Sequence, residues 1–267
     1  MNKIKNTKLF IFDMDGTIYL GDELIEGVLD LLKTLDEEDI NYIFLTNNSS
    51  KNSEDYKNKL KRFGIEVDIN RIVNAGEVTA SYIKQIKNPE ENNVYVVGTN
   101  SLEKVFKDYS FNVIKDRDKK VDYLVVGFDT SLNYKKLWDA HYLINSGVKY
   151  YATNPDKVCP LEGGKSMPDC GAIISLLKTS TGKEPTVIGK PSQLIVKYIS
   201  EQYSIDKKHI SMVGDRLYTD IKMANNSGIN SILVLTGETK KEDLKNAEIK
   251  PNYVLDNVTK IINEISR

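Results

Sequence analysis

Four short segments bring carboxylates, hydroxyls and a lysine together at spacings that suit phosphoryl transfer. The first, Phe12-Asp13-Met14-Asp15-Gly16-Thr17, follows an apolar run, so Asp13 falls where a buried strand meets its loop. A nucleophilic carboxylate must be held rigidly and kept ionised, and a nearby cation favours both. A second carboxyl two residues on, Asp15, could protonate a leaving oxygen and later deprotonate water. A bare pair of aspartates is more often a polar loop end. Here the strand before it, the turn permitted by Gly16 and the nearby Thr17 hydroxyl favour the chemical reading.

The second segment, Leu45-Thr46-Asn47-Asn48-Ser49-Ser50, also ends an apolar strand. Ser and Asn are favoured helix N-caps, and that reading competes evenly with a phosphate cradle of one hydroxyl and successive backbone N–H groups. In Ile188-Gly189-Lys190-Pro191 a single ammonium at a strand end could neutralise a phosphate and its nucleophile. The last segment, Met212-Val213-Gly214-Asp215-Arg216-Leu217-Tyr218-Thr219-Asp220, places two aspartates across a strand-to-helix junction. A capping role explains one of them but not the pair. Magnesium takes carboxylates, carbonyls and waters in octahedral array. Asp13, the Asp15 carbonyl and Asp215 would supply part of that set, with Asp220 orienting Lys190 or the metal's waters.

The elements that must position these groups read as alternating buried strands and amphipathic helices, which is the pattern of parallel sheets with crossover helices. Expected strands are Leu9–Phe12, Tyr42–Leu45, Val94–Val97, Tyr123–Val126, Lys149–Ala152, Thr186–Ile188, Ile210–Val213, Ser231–Leu235 and Tyr253–Leu255. Helices are expected over Ile25–Leu35 and through about Phe63. The chemical segments fall before about residue 50 and after about residue 185, each directly after a strand. Ligands of open α/β sheets bind beyond the carboxyl ends of strands. Residues 1–82 and 183–267 are therefore expected to form one discontinuous catalytic core, a Rossmann-like doubly wound sheet. Residues 83–182 would form an inserted α/β domain.

In this order the four segments resemble the motifs of the haloacid dehalogenase superfamily: DxDGT, a strand-end Thr, a Lys and a GDxxxTD-like acidic pair. Asp-Gly-Thr-Ile-Tyr, Leu-Thr-Asn-Asn-Ser, Ala-Thr-Asn-Pro-Asp and Gly-Asp-Arg-Leu-Tyr-Thr-Asp look like the NagD or p-nitrophenyl phosphatase branch, which carries a large α/β cap. The resemblance implies Asp13 as nucleophile and Asp15 as general acid/base. It implies Thr46, the Asn47 backbone N–H and Lys190 as phosphate ligands. Asp13, Asp15 and Asp215 would bind Mg2+, with Asp220 outside them. Where that branch reads roughly Pro-Gly-x-Gly in a cap loop, this chain has Pro168-Asp169-Cys170-Gly171. Asp169 and Cys170 could select the leaving group; a helix cap by Asp169 has equal weight. Asn154 and Asp156 are expected to tie a cap loop to the core rather than to touch substrate.

The expected activity is a Mg2+-dependent phosphomonoester hydrolase acting on a small phosphorylated metabolite through an aspartyl-phosphate on Asp13. A phosphomutase or phosphotransferase could use the same core. A phospho-receiver module also uses an acidic cluster, a Thr and a Lys, but lacks a carboxylate in the place of Asp15. The net charge of −1 over 267 residues gives no electrostatic case for nucleic acid or an acidic membrane as partner. No apolar run approaches the roughly 20 residues of a membrane span, and the N-terminus lacks a secretory pattern, so a cytoplasmic location is expected. Two histidines and two cysteines without metal-type spacing argue against zinc. The resemblance also implies a homodimer through the cap.

Overall fold

The computed structural model describes residues 4–161 and 165–265. The chain divides into two compact units. One comprises Met1–Thr46, Tyr56–Val73 and Lys190–Arg267; the other comprises Asn47–Asp55 and Asn74–Gly189.

The first unit is built on a six-stranded sheet in the order β15-β14-β13-β1-β4-β5. Its strands are β1 (Leu9–Asp13), β4 (Asn41–Thr46), β5 (Ile72–Asn74), β13 (Ile210–Gly214), β14 (Asn230–Val234) and β15 (Tyr253–Leu255). A small hairpin, β2 (Tyr19–Leu20) with β3 (Glu23–Leu24), follows β1. Every residue of β1, β13 and β14 is buried, the signature of parallel strands covered on both faces. In α1 (Val28–Glu37), Val28, Leu31, Leu32 and Leu35 recur at helical spacing and form the buried stripe. This helix starts later than its apolar pattern because Gly27 stands at the N-cap with φ +79°. The strand β1 pairs in parallel with β4 on one side and with β13 on the other. The chain order therefore reverses at β1, which opens a crevice beyond its carboxyl end.

The second unit has a five-stranded sheet ordered β12-β9-β8-β6-β7. It consists of β6 (Asn93–Val97), β7 (Asn112–Ile114), β8 (Tyr123–Val126), β9 (Lys149–Ala152) and β12 (Thr186–Val187), all paired in parallel. Helices α3 (Ala75–Ile86), α4 (Asn100–Asp108), α5 (Tyr134–Asn145) and α6 (Cys170–Thr181) accompany it, and β10 (Val158–Pro160) pairs with β11 (Ser166–Pro168). The short strand β12 was expected in the catalytic core; instead Thr186 and Val187 pair with Tyr151 and Ala152 of β9. That pairing carries the second unit on to Gly189. At its other end the unit's long segment starts at Asn74 rather than at residue 83, because α3 packs with α4, and Asn47–Asp55, expected in the core, also belongs to it.

Candidate active site

Strand register brings the chemical segments of the first unit to one level. Asp13 stands opposite Leu45, and Phe12 opposite Val213, so Thr46 and Gly214-Asp215 lie one or two steps further along their strands. Asp13 is 8% exposed, Thr46 5%, Lys190 3%, Asp215 2% and Asp220 0%. The Lys190 ammonium ion-pairs with Asp13 and, at 2.8 Å, with Asp220. Asp220 is carried on a π-helical turn, Leu217–Ile221, that precedes α8 (Lys222–Ser227). Its second oxygen accepts the Arg216 N–H at 3.1 Å. Gly214 is required beneath it, since a Cβ there would meet the Asp220 carboxyl at 2.4 Å.

Burial raises the Asp13 carboxyl well above its ordinary range; Lys190 works against that rise, while Asp220 and Asp215 add to it. Burial, and then Asp220, hold Asp215 up at about 6. Burial opposes the Lys190 charge, but Asp13 and Asp220 outweigh it and raise its pKa, so the ammonium persists.

Asp15 is exposed at a tight turn in which Thr17, Ile18 and Tyr19 all donate to the Met14 carbonyl. Its carboxylate accepts from the hydroxyl of the buried Tyr19 at 3.4 Å. Burial, with Asp15 beside it, raises the Tyr19 pKa well above the phenol range, so that hydroxyl keeps its proton. Gly16 has φ +88°, and a Cβ there would sit 2.5 Å from Asp215 Oδ2.

One positioning segment was not legible in the sequence, the loop after β14. Glu238 N–H donates to Asp215 Oδ2 at 2.6 Å, Thr239 N–H to the Asp215 carbonyl at 3.2 Å, and the Thr236 hydroxyl to the Gly16 carbonyl at 2.6 Å. A Cβ on Gly237 would stand 2.0 Å from Asp215 Oδ2. The only available signal was a Thr-Gly-Glu-Thr run after an apolar strand, which reads equally well as an ordinary turn.

Asp13, Asp215 and Asp220 each place a carboxylate oxygen within 4.8 Å of the others. Asp215 Oδ1 is buried without a hydrogen-bond donor among the described residues. A buried, unpaired carboxylate oxygen beside two further carboxylates suits a hard divalent cation, so the residues fit magnesium.

The remaining expected residues lie in the second unit. Asn47 is 5% exposed, its side chain donating to Asp156 and its carbonyl accepting from Asn154. Asp169 is the N-cap of α6, with its carboxylate accepting the Cys170 N–H. That is the capping alternative weighed from the sequence. Cys170 is fully buried in the unit's apolar core, where its Sγ lies 3.4 Å from the Val126 carbonyl and burial pushes its thiol up to about 12. His141 is on α5, in contact with Ser180 and Asn145.

A buried Asp–Lys–Asp constellation with a further aspartate, at the carboxyl end of a parallel sheet, defines a phosphotransfer enzyme of the haloacid dehalogenase type. A family model for haloacid dehalogenase-like hydrolases matches residues 10–112, and a HAD-hydrolase-like model matches residues 187–261. The acid sugar phosphatase of Staphylococcus haemolyticus (strain JCSC1435) is 35% identical over 264 residues, covering 99% of this chain and 98% of its own. The 4-nitrophenylphosphatase from Thermotoga maritima superposes with a TM-score of 0.93 at 42% identity, covering 99% of this chain and 100% of that one. A glycerol phosphate phosphatase from Mycobacterium tuberculosis, solved in complex with magnesium, gives a TM-score of 0.89 at 25% identity, covering 98% of this chain and 78% of that one. The chain belongs to the haloacid dehalogenase-like hydrolases, in their NagD and p-nitrophenyl phosphatase-like branch. It is a phosphatase. Among the described residues, no helix is long and apolar enough to cross a membrane.

Proposed function

We propose that this chain is a magnesium-dependent phosphomonoester hydrolase acting on sugar phosphates, with Asp13 as its nucleophile. The observation that carries the reading is the buried Lys190 ammonium held between Asp13 and Asp220. It opposes the rise that burial imposes on the Asp13 carboxyl, fixes that carboxyl in direction, and meets the negative charge of an arriving phosphate.

Asp13 attacks phosphorus in line, and the bond from phosphorus to the ester oxygen breaks as Asp15 gives that oxygen its proton. Thr46, the Asn47 N–H and Lys190 hold the phosphoryl oxygens during this transfer. Asp15 then takes a proton from water, the water oxygen attacks the phosphoryl on Asp13, and inorganic phosphate leaves with Asp13 restored. Magnesium bound by Asp13, the Asp15 carbonyl and Asp215 would neutralise phosphoryl charge. Asp220 keeps Lys190 aimed. Tyr19 steadies Asp15 from below without taking its proton. Positioning and charge neutralisation supply most of the rate.

Sugar phosphates are favoured as substrates because the curated relatives are acid sugar phosphatases. The second unit would serve as the substrate-selecting cap. Dimerisation through it is supported by the exposed side chains of Tyr134, Trp138 and Tyr142 along α5. A cytoplasmic location accords with a sequence of only two cysteines, too few for a disulfide framework.

The test is phosphate release from a panel of sugar phosphates and other esters, with and without magnesium, beside Asp13→Asn and Asp15→Asn. Magnesium-dependent release lost in Asp13→Asn and slowed in both half-reactions in Asp15→Asn is expected. Isomerised substrate without released phosphate would point to a mutase instead.

A further inference from the structure

The chain crosses between the units four times; the first crossing is Thr46-Asn47 and the last is Gly189-Lys190, with Asp55-Tyr56 and Val73-Asn74 between them. The three groups proposed to hold the phosphoryl oxygens, Thr46, the Asn47 N–H and Lys190, each lie at the first or the last of these crossings. Within the second unit, the first and last crossings are both bonded to one turn, Thr153-Asn154-Pro155-Asp156, which follows β9. Asn154 Nδ2 donates to the Asn47 carbonyl at 2.8 Å, and Asn47 Nδ2 donates to both Asp156 oxygens at 3.3 and 3.2 Å. The turn braces itself through the Asp156 N–H, which donates to Asn154 Oδ1 at 3.0 Å. The return crossing is tied by the Gly189 N–H, which donates to the Thr153 carbonyl at 2.8 Å. Ser49 and Thr153 join their hydroxyls at 2.8 Å, and the Phe128 N–H donates to Ser49 Oγ at 3.0 Å.

The residue types are those the arrangement needs. Asn154 must donate to one partner and accept from another at the same time, which an amide does and a carboxylate does not. Gly189 lies flush on the turn: a Cβ would stand 2.2 Å from the Thr153 oxygen and 2.8 Å from Asn47 Oδ1. Thr153 and Asn154 are fully buried and Asp156 is 7% exposed, so bonds lost here are not replaced by water. A turn serving only its own shape would need the Asp156–Asn154 bond alone. The bonds to Asn47 and Gly189 reach segments remote in sequence that lead straight to Thr46 and Lys190.

We propose that the Thr153–Asp156 turn is a positioning pin that fixes the separation of Thr46 and Lys190, and so the geometry of the phosphoryl cradle. This rests on the proposed roles of Thr46 and Lys190. Asn154 and Asp156 touch no reacting atom; they act through Asn47, and Thr153 acts through Gly189. A displacement of about 1 Å in a positioning group can cost about 10²-fold in rate.

The experiment uses the full chain with magnesium and p-nitrophenyl phosphate, comparing Asn154→Asp, Asp156→Ala, Asp156→Asn and Thr46→Ala. Asn154→Asp and Asp156→Ala are expected to lower kcat by about 10- to 100-fold. Inorganic phosphate should weaken as a competitive inhibitor in both, with half-saturating magnesium unchanged because its proposed ligands lie elsewhere. Asp156→Asn keeps an acceptor for the Asn47 amide and should recover most of the rate; it also guards against reading a misfolded Asp156→Ala as support. Parent-like kcat and phosphate inhibition in Asn154→Asp and Asp156→Ala, with Thr46→Ala impaired, overturn the pin alone. Asp156→Asn as damaged as Asp156→Ala, or magnesium affinity falling in step with phosphate affinity, would also refute it. A fully active Thr46→Ala would remove the reading beneath it as well.

Discussion

Replacing Lys190 with methionine keeps the side chain's length and removes its charge, and it should destabilise the first unit by about 3–5 kcal/mol at pH 7.5 in EDTA. At an effective dielectric of about 20, an ion pair at the 2.8 Å of Lys190 and Asp220 contributes about 6 kcal/mol. Relief from burying the ammonium offsets several kcal/mol of that. A ceiling also follows from acid–base chemistry. A stranded carboxylate can take up a proton, and holding a carboxyl of ordinary pKa near 3.9 neutral at pH 7.5 costs about 5 kcal/mol. At pH 5.5 the same ceiling is about 2 kcal/mol. Asp13 is already raised by burial in the parent, with Lys190 as its main opposing influence. An acid raised in the folded state holds a proton that the unfolded chain has released, so stability is lost as pH rises from about 4 towards the raised value. The penalty of the substitution should therefore shrink as pH falls. Urea unfolding at pH 5.5 and 7.5 measures it. The only tryptophan, Trp138, belongs to the second unit, so its fluorescence follows the wrong part of the chain. Amide exchange in β1 follows the right one. A loss under about 1 kcal/mol at pH 7.5, or a loss independent of pH, would falsify the view that Lys190 neutralises this cluster.

Two other perturbations probe the metal ligands. Gly237→Ala forces a Cβ to within 2.0 Å of Asp215 Oδ2 and should weaken magnesium about 10- to 100-fold in a calorimetric titration; unchanged affinity would remove the loop after β14 from the site. With magnesium chelated, the Asp215 carboxyl near 6 should make stability fall by about 3 kcal/mol between about pH 4 and pH 6, because only the folded state retains that proton there. Magnesium binds the ionised form, so its stabilising effect should be full at pH 7.5 and fade as pH falls below about 6; a metal-induced melting shift independent of pH would contradict this.

What the sequence made legible was whatever repeats on the scale of one element. The buried runs Leu9–Phe12 and Ile210–Val213 matched their strands within a residue, because five consecutive buried positions leave no other reading. The strands β5 and β7 have three residues each, too few to show a period, and both escaped notice. The chemical residues of the first unit stood out because they interrupt apolar runs. Their supports did not: Tyr19, Gly237 and Glu238 act through a phenol, a missing Cβ and a backbone N–H, none of which differs in sequence from ordinary turn and surface chemistry. Pairing decided the fate of Thr186–Val187. A two-residue strand joins whichever sheet offers an edge, and β9 offered it.

The sheet order has a consequence for the chain as it is being made. The central strand β1 leaves the ribosome before both of its neighbours and gains one when β4 follows, but the other, β13, begins only at Ile210. At roughly 5–20 residues per second, some 160 residues of further synthesis leave one edge of a strand that is entirely buried in the folded protein unpaired for about 8–30 s. The whole second unit emerges within that interval and can complete its own sheet first. Nascent chains of this protein are thus most exposed to aggregation, and most dependent on chaperones, while Leu9–Phe12 waits for a partner still to be translated.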